Sequence, residues 1–178
     1  MRFRPYQKRT FRLTYDDLFV SCRWEGNIEF REHIEKRTNL RVATGAEACK
    51  HALQKFGVKN IACITPYMPV MDEAVSGFFD EIGFSCKRVF GFKCVGAVEI
   101  AHVTEEMCEK AIRDIDGDDI DAIVQCGTNL SFVGVSERME SVIGKPIIAI
   151  NAATLWFALR DNGIDTPVQG CTRLFREF

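Results

Sequence analysis

The sequence predicts an α/β fold, a parallel sheet flanked by helices, on three observations. From residue 44 onward, short apolar runs alternate with helix-length segments. The helix-length segments open on capping residues and close on glycine or turn residues. The apolar runs are continuous rather than alternating, as strands covered on both faces are. Length and composition fit the same picture. A chain of 178 residues, 47% hydrophobic and 27% charged, is a globular domain with at most an appended segment.

The elements follow in order. Residues 1–43 fit the pattern least: 12–22 suits a strand, and 27–38 suits a polar amphipathic helix with Ile28, Phe30 and Ile34 inward. Thr44 then precedes Glu47 at capping-box spacing, and Ala48, His51, Ala52 and Phe56 recur at helical intervals up to Gly57. Asn60–Thr65 is a short apolar strand stopped by Pro66. A helix over 70–82 turns Val75, Phe78, Phe79 and Ile82 to one side and closes at Gly83. Residues 84–92 form an aromatic-rich strand, followed by a short helix at 98–101 and a longer one from Thr104 to the acidic turn at 116–119. Strands at 120–125 and 146–150, with helices at 136–143 and 152–162, complete the alternation. Helical crossovers of this length make the sheet parallel.

Charge and cysteine content narrow the function. A net charge of −2 lacks the basic face that nucleic-acid binding requires. Residues 1–12 carry Arg2, Arg4, Lys8, Arg9 and Arg12 without an acid, which reads as a solvated terminus. No apolar run approaches the roughly 20 residues of a membrane span, and no secretory signal opens the chain, so a cytoplasmic protein is expected. The eight cysteines and three histidines are scattered, with no C-x-x-C and no zinc-ligand spacing. Most of the thiols are expected to be small buried hydrophobes.

Chemistry in such a sheet sits beyond the carboxyl ends of the strands. Three ends stand out: Thr65-Pro66-Tyr67, Cys126-Gly127-Thr128-Asn129 and Asn151-Ala152-Ala153-Thr154. Cys126 leaves its strand beside Gly127, and the N–H groups of Gly127 to Asn129 suit a carboxylate or an enolate oxygen. Those N–H groups are also expected to lower the thiol pKa and favour thiolate. A buried structural cysteine suits the same position. Tyr67 offers a hydroxyl to a ligand or simply covers the strand end, and Asn151 and Thr154 suit helix capping.

At Cys126-Gly127-Thr128-Asn129-Leu130 the chain resembles the aspartate/glutamate racemase superfamily, in the branch of maleate cis-trans isomerase and arylmalonate decarboxylase. Ala43-Thr44-Gly45, Ile64 to Tyr67, Val95 to Ala101, Gly144 to Asn151, Trp156, Leu159-Arg160 and Gly170 to Phe175 carry the likeness over residues 40–178. The resemblance implies two Rossmann-like lobes with the active site between them. It makes Cys126 the second-lobe acid/base, with Tyr67, Thr65, Gly127, Thr128 and Asn129 binding the substrate carboxylate. Cys22, in Ser21-Cys22-Arg23-Trp24, aligns with the first-lobe catalytic position, although Arg23-Trp24 replaces the family's small hydroxyl residues.

Residues 1–43 are then a shortened first-lobe remnant, 44–151 the α/β lobe, and 152–178 a helix and tail returning toward the first lobe. The function implied is a cofactor-independent isomerase or decarboxylase of a small (di)carboxylate, using cysteine acid/base or nucleophilic chemistry, with no metal. The alternative is an inactive homologue that binds without turnover. A homo-oligomer is expected to cover the apolar side chains of the last helix, Leu155, Trp156, Phe157 and Leu159.

Overall fold

The computed structural model describes residues 23–178. The strand expected at 12–22 and the candidate Cys22 lie outside the described residues. The described chain opens with α1 (Trp24–Thr38) and α2 (Gly45–Phe56), followed by β1 (Asn60–Thr65), α3 (Pro69–Glu81) and β2 (Ser85–Gly91). Then come α4 (Ala97–Ala101), α5 (Glu105–Ile115), β3 (Ala122–Gln125), α6 (Val133–Ile143), β4 (Ile147–Ala149), α7 (Ile150–Asp161) and α8 (Arg173–Glu177).

The four strands form one parallel sheet in the order β2-β1-β3-β4. The order reverses direction at β1, so the β1–β2 crossover and the two later crossovers place their helices on opposite faces. β1 and β3 are central and buried from Ile61 and Ala122 onward, whereas β2 is an edge strand with half-buried residues. Thr44 accepts the Glu47 N–H at 3.2 Å, as its spacing predicts, but the Glu47 carboxylate turns away to Arg31 at 2.7 Å. That ion pair ties α1 to α2.

Several boundaries differ from the sequence expectation, each for a local reason. α1 buries Asn27, while Ile28, Phe30 and Ile34 are only half covered. β3 begins at Ala122, two residues later than expected, and just before it the Asp121 carboxylate accepts the N–H groups of Lys59 and Asn60, at 3.0 and 2.7 Å. α6 starts three residues before the expected Ser136, whose hydroxyl donates to Val133 O inside the first turn. β4 is short: Ile150 and Asn151 already belong to α7, so Asn151 is not its cap.

The last helix is mostly covered by its own chain. Trp156 is buried, Phe157 and Leu159 are half-buried, and Leu155 alone of the four is exposed. The tail is held by a buried carboxylate. Glu140 accepts Ile147 N–H at 3.1 Å and Arg173 N–H at 2.8 Å, so one side chain joins α6, the entry to β4 and α8. Among the described residues, no helix is long and apolar enough to cross a membrane.

Candidate active site

β1 and β3 are hydrogen-bonded neighbours, so their carboxyl ends open side by side. Thr65-Pro66-Tyr67 and the turn after Gln125 therefore meet, as the sequence anticipates. Cys126 N–H donates to Ile64 O at 2.9 Å, the last rung joining the two strands. Gly127 follows in the left-handed region with φ +98°. A methyl group there would stand 2.5 Å from Pro66 Cδ and 3.5 Å from the Tyr67 hydroxyl. Only glycine lets the turn pass this close. The same distances bring the Tyr67 hydroxyl to the turn.

The turn is held from behind by two amides that the sequence does not single out for this task. Gln125, fully buried, donates its Nε2 to Cys126 O at 2.8 Å and Gly127 O at 2.7 Å. Asn151 Nδ2 donates to Thr128 O at 2.9 Å from the first turn of α7. With the carbonyls so engaged, the N–H groups of Gly127, Thr128 and Asn129 find no acceptor among the described residues. Thr128 and Asn129 are half-exposed. Gly127 is buried between them and Pro66, so the fixed donors reach solvent only at Thr128 and Asn129.

Thr65 stands differently from its sequence assignment. It is buried, its hydroxyl donates to the Asp72 carboxylate, and its oxygen accepts Tyr67 N–H at 3.0 Å. Thr65 thus positions Tyr67 rather than facing the open side of the site. Asp72, from the first turn of α3, is a site residue that sequence reading misses. Burial raises its pKa, with the Thr65 hydroxyl and Lys93 opposing. Lys93 is itself unusual, a non-glycine residue at φ 57°. The cause is visible: Phe92, Lys93 and Cys94 donate their N–H groups to Thr65, Tyr67 and Pro66 carbonyls, fastening the loop after β2 beside the loop after β1.

The thiol itself corrects an expectation. Cys126 is fully buried, and burial pushes its pKa well above the ordinary 9.0, with Cys49, Cys86 and Asp72 adding in the same direction. The turn N–H groups do not offset this. Burial thus opposes ionisation of the Cys126 thiol. Exposed apolar side chains follow two of the strands, Met68 and Val70 after β1 and Val95 and Val98 after β2, while α7 exposes Leu155. A cavity of about 280 Å³ lies elsewhere, between α2, α7 and the chain end, lined among others by His51, Lys55, Trp156 and Arg160. None of the strand-end residues borders it.

The family model for arylmalonate decarboxylase matches residues 23–175. Maleate isomerase of Alcaligenes faecalis is 22% identical over 135 residues, covering 75% of this chain and 53% of that protein. Arylmalonate decarboxylase of Bordetella bronchiseptica is 26% identical over 153 residues, covering 81% of this chain and 61% of that protein. The chain thus spans between half and two thirds of the length of these curated relatives. Among solved structures, a mutant of Nocardia farcinica maleate cis-trans isomerase with a covalently bound succinylcysteine intermediate superposes with a TM-score of 0.85. It shares 22% identity, with 90% of this chain and 68% of that one covered. The strand order, the donor turn after β3 and the match over 153 consecutive residues lead to one conclusion: this chain belongs to the arylmalonate decarboxylase family.

Proposed function

We propose that this chain carries out cofactor-independent chemistry at the carbon beside a carboxylate, on a small mono- or dicarboxylate, with Cys126 as general acid. The observation that carries the reading is the buried Cys126 thiol standing next to a turn whose N–H groups find no acceptor among the described residues. In a decarboxylation, the C–C bond to one carboxylate breaks, carbon dioxide leaves, and the electron pair remains as an enediolate. Gly127, Thr128, Asn129 and the Tyr67 hydroxyl hold the enediolate oxygens, where fixed donors lower the barrier most. The Cys126 S–H then donates its proton to the carbon, and water returns one to the thiolate.

The same parts serve cis-trans isomerisation if the thiolate adds to the alkene carbon instead, as the succinylcysteine in the Nocardia protein illustrates for that protein. A thiol whose ionisation burial opposes favours the proton-donor role. Thr65 and Gln125 are positioning residues in this scheme: one sets Tyr67, the other fixes the turn. The reading takes 44–151 as the lobe bearing the site, 152–178 as its extension, and Cys22 as a second catalytic position contributed from 1–43.

Turnover of a panel of malonates and of maleate, followed by carbon dioxide release and by proton NMR in deuterium oxide, tests it. Release of carbon dioxide with one deuterium at the α-carbon supports the general-acid reading. Fumarate formed from maleate moves Cys126 to nucleophile, and binding without turnover leaves only the carboxylate site.

A further inference from the structure

β2 is the outer strand of the sheet, and it carries Cys86 half-exposed at its second residue. Across from it, Cys63 lies fully buried on central β1. Cys86 pairs with Ile61, and the register shift that follows makes Lys87 an extra residue between the Ile61–Cys86 and Ala62–Arg88 pairs. Cys86 and Cys63 consequently point to the same face, the one that α3 covers with Asp80. Their sulfurs are 3.6 Å apart. Among the described residues no other two thiols are in such contact.

We propose that Cys86 and Cys63 are an oxidant-reactive pair, in which a hydroperoxide oxidises Cys86 and Cys63 closes a disulfide between β1 and β2. The Cys86 sulfur, as thiolate, attacks the terminal peroxide oxygen. The O–O bond breaks, and the leaving alkoxide takes a proton to depart as alcohol, or as water from hydrogen peroxide. Cys86 is left as a sulfenic acid. The Cys63 sulfur then attacks the Cys86 sulfur, its S–H proton leaves with the displaced hydroxide as a second water, and the S–S bond forms. Two thiols are oxidised and one peroxide is reduced, so electrons and atoms balance.

Three features support each step. Access comes from the edge strand: Cys86, like Cys94 and Cys171, is partly exposed, whereas Cys49, Cys108 and Cys126 are buried, and of the partly exposed thiols among the described residues only Cys86 has a second sulfur within 3.6 Å. The Cys86 sulfur lies 3.6 Å from Cys63 Sγ and 3.7 Å from Arg88 O, and its pKa is lowered from the ordinary thiol value, chiefly by the Cys63 contact, although burial opposes this. Closure requires the sulfurs to move together by about 1.5 Å, to the roughly 2.0 Å of a disulfide bond, between strands about 4.8 Å apart. The inference is independent of the role given to Cys126.

The test uses the reduced full chain and hydrogen peroxide, followed by alkylation in denaturant and peptide mass mapping. The expected result is that two of the eight thiols escape alkylation, in one species joining the peptides that hold Cys63 and Cys86. Cys63→Ser, or Cys63→Ala if serine destabilises the core, is expected to stop at a Cys86 sulfenic acid that dimedone labels. Cys86→Ser is expected to slow peroxide consumption about tenfold or more. A bridge between other cysteines, an unchanged rate in Cys86→Ser, or eight free thiols after peroxide together with no dimedone label in Cys63→Ser would overturn the proposal.

Discussion

Cys126 and Cys86 share one sheet and one chemistry, yet the fold has made opposite groups of them. Cys126 follows a central strand and is buried, and burial raises its pKa. Cys86 sits on the edge strand, half in solvent, and its neighbours lower its pKa. Strand position sets which thiol's pKa is raised and which is lowered. A central strand end supplies a protected proton beside open N–H donors, whereas the edge supplies an accessible sulfur.

The largest effect should come from removing the protected proton. Cys126→Ser is expected to lower turnover on any identified substrate by at least about a hundredfold, while the thermal midpoint moves by only a few degrees. Full activity in that variant would erase the distinction in role. Alkylation order probes the same contrast directly. In the native chain, Cys86 should react with iodoacetamide about tenfold or more ahead of Cys126 and Cys63, as read by peptide mapping over time. In denaturant the three should react alike.

Alkaline titration gives a third handle, and the sign follows from burial. Cys49 is pushed up to about 12 and Cys108 to about 11, and Cys63 and Cys126 are raised as well, against an ordinary 9.0. Above pH 9 the unfolded chain releases these protons and the folded chain keeps them, so stability falls as pH rises. Each buried thiol should cost on the order of 1 kcal/mol by about pH 10, measurable by urea unfolding at pH 8 and 10. Cys86, shifted the other way, contributes with the opposite sign. The last expected effect is confined to one turn. Gly127→Ala places a methyl group against Pro66 at a positive φ and should cost about 1–3 kcal/mol, with weaker carboxylate binding by titration calorimetry.

Much of the fold was legible in the chain because it rests on local physics. The run Asn60–Thr65 contains nothing but strand-compatible residues between a helix stop and a proline, and it forms β1 as read. Thr44 and Thr104 cap their helices at the spacing that predicts it. Misreadings occurred where a distant group competed. Asp121, read as part of a strand, instead accepts the N–H groups of Lys59 and Asn60 where β1 begins. Asn151, which reads as a cap, instead crosses to the turn after another strand.

The sequence by itself determined that Cys126, Gly127, Thr128, Asn129 and Tyr67 would meet, since parallel strands bring their carboxyl ends to one edge. Tertiary structure alone decided what they meet as. The engagement of Thr65 with Asp72, the hold of Gln125 on the turn and the raised pKa of Cys126 all depend on desolvation and on contacts between residues far apart in the chain. Local pattern carries hydrophobic period and capping. Burial, which sets the charge of a thiol, exists only once the sheet and its helices have closed around it.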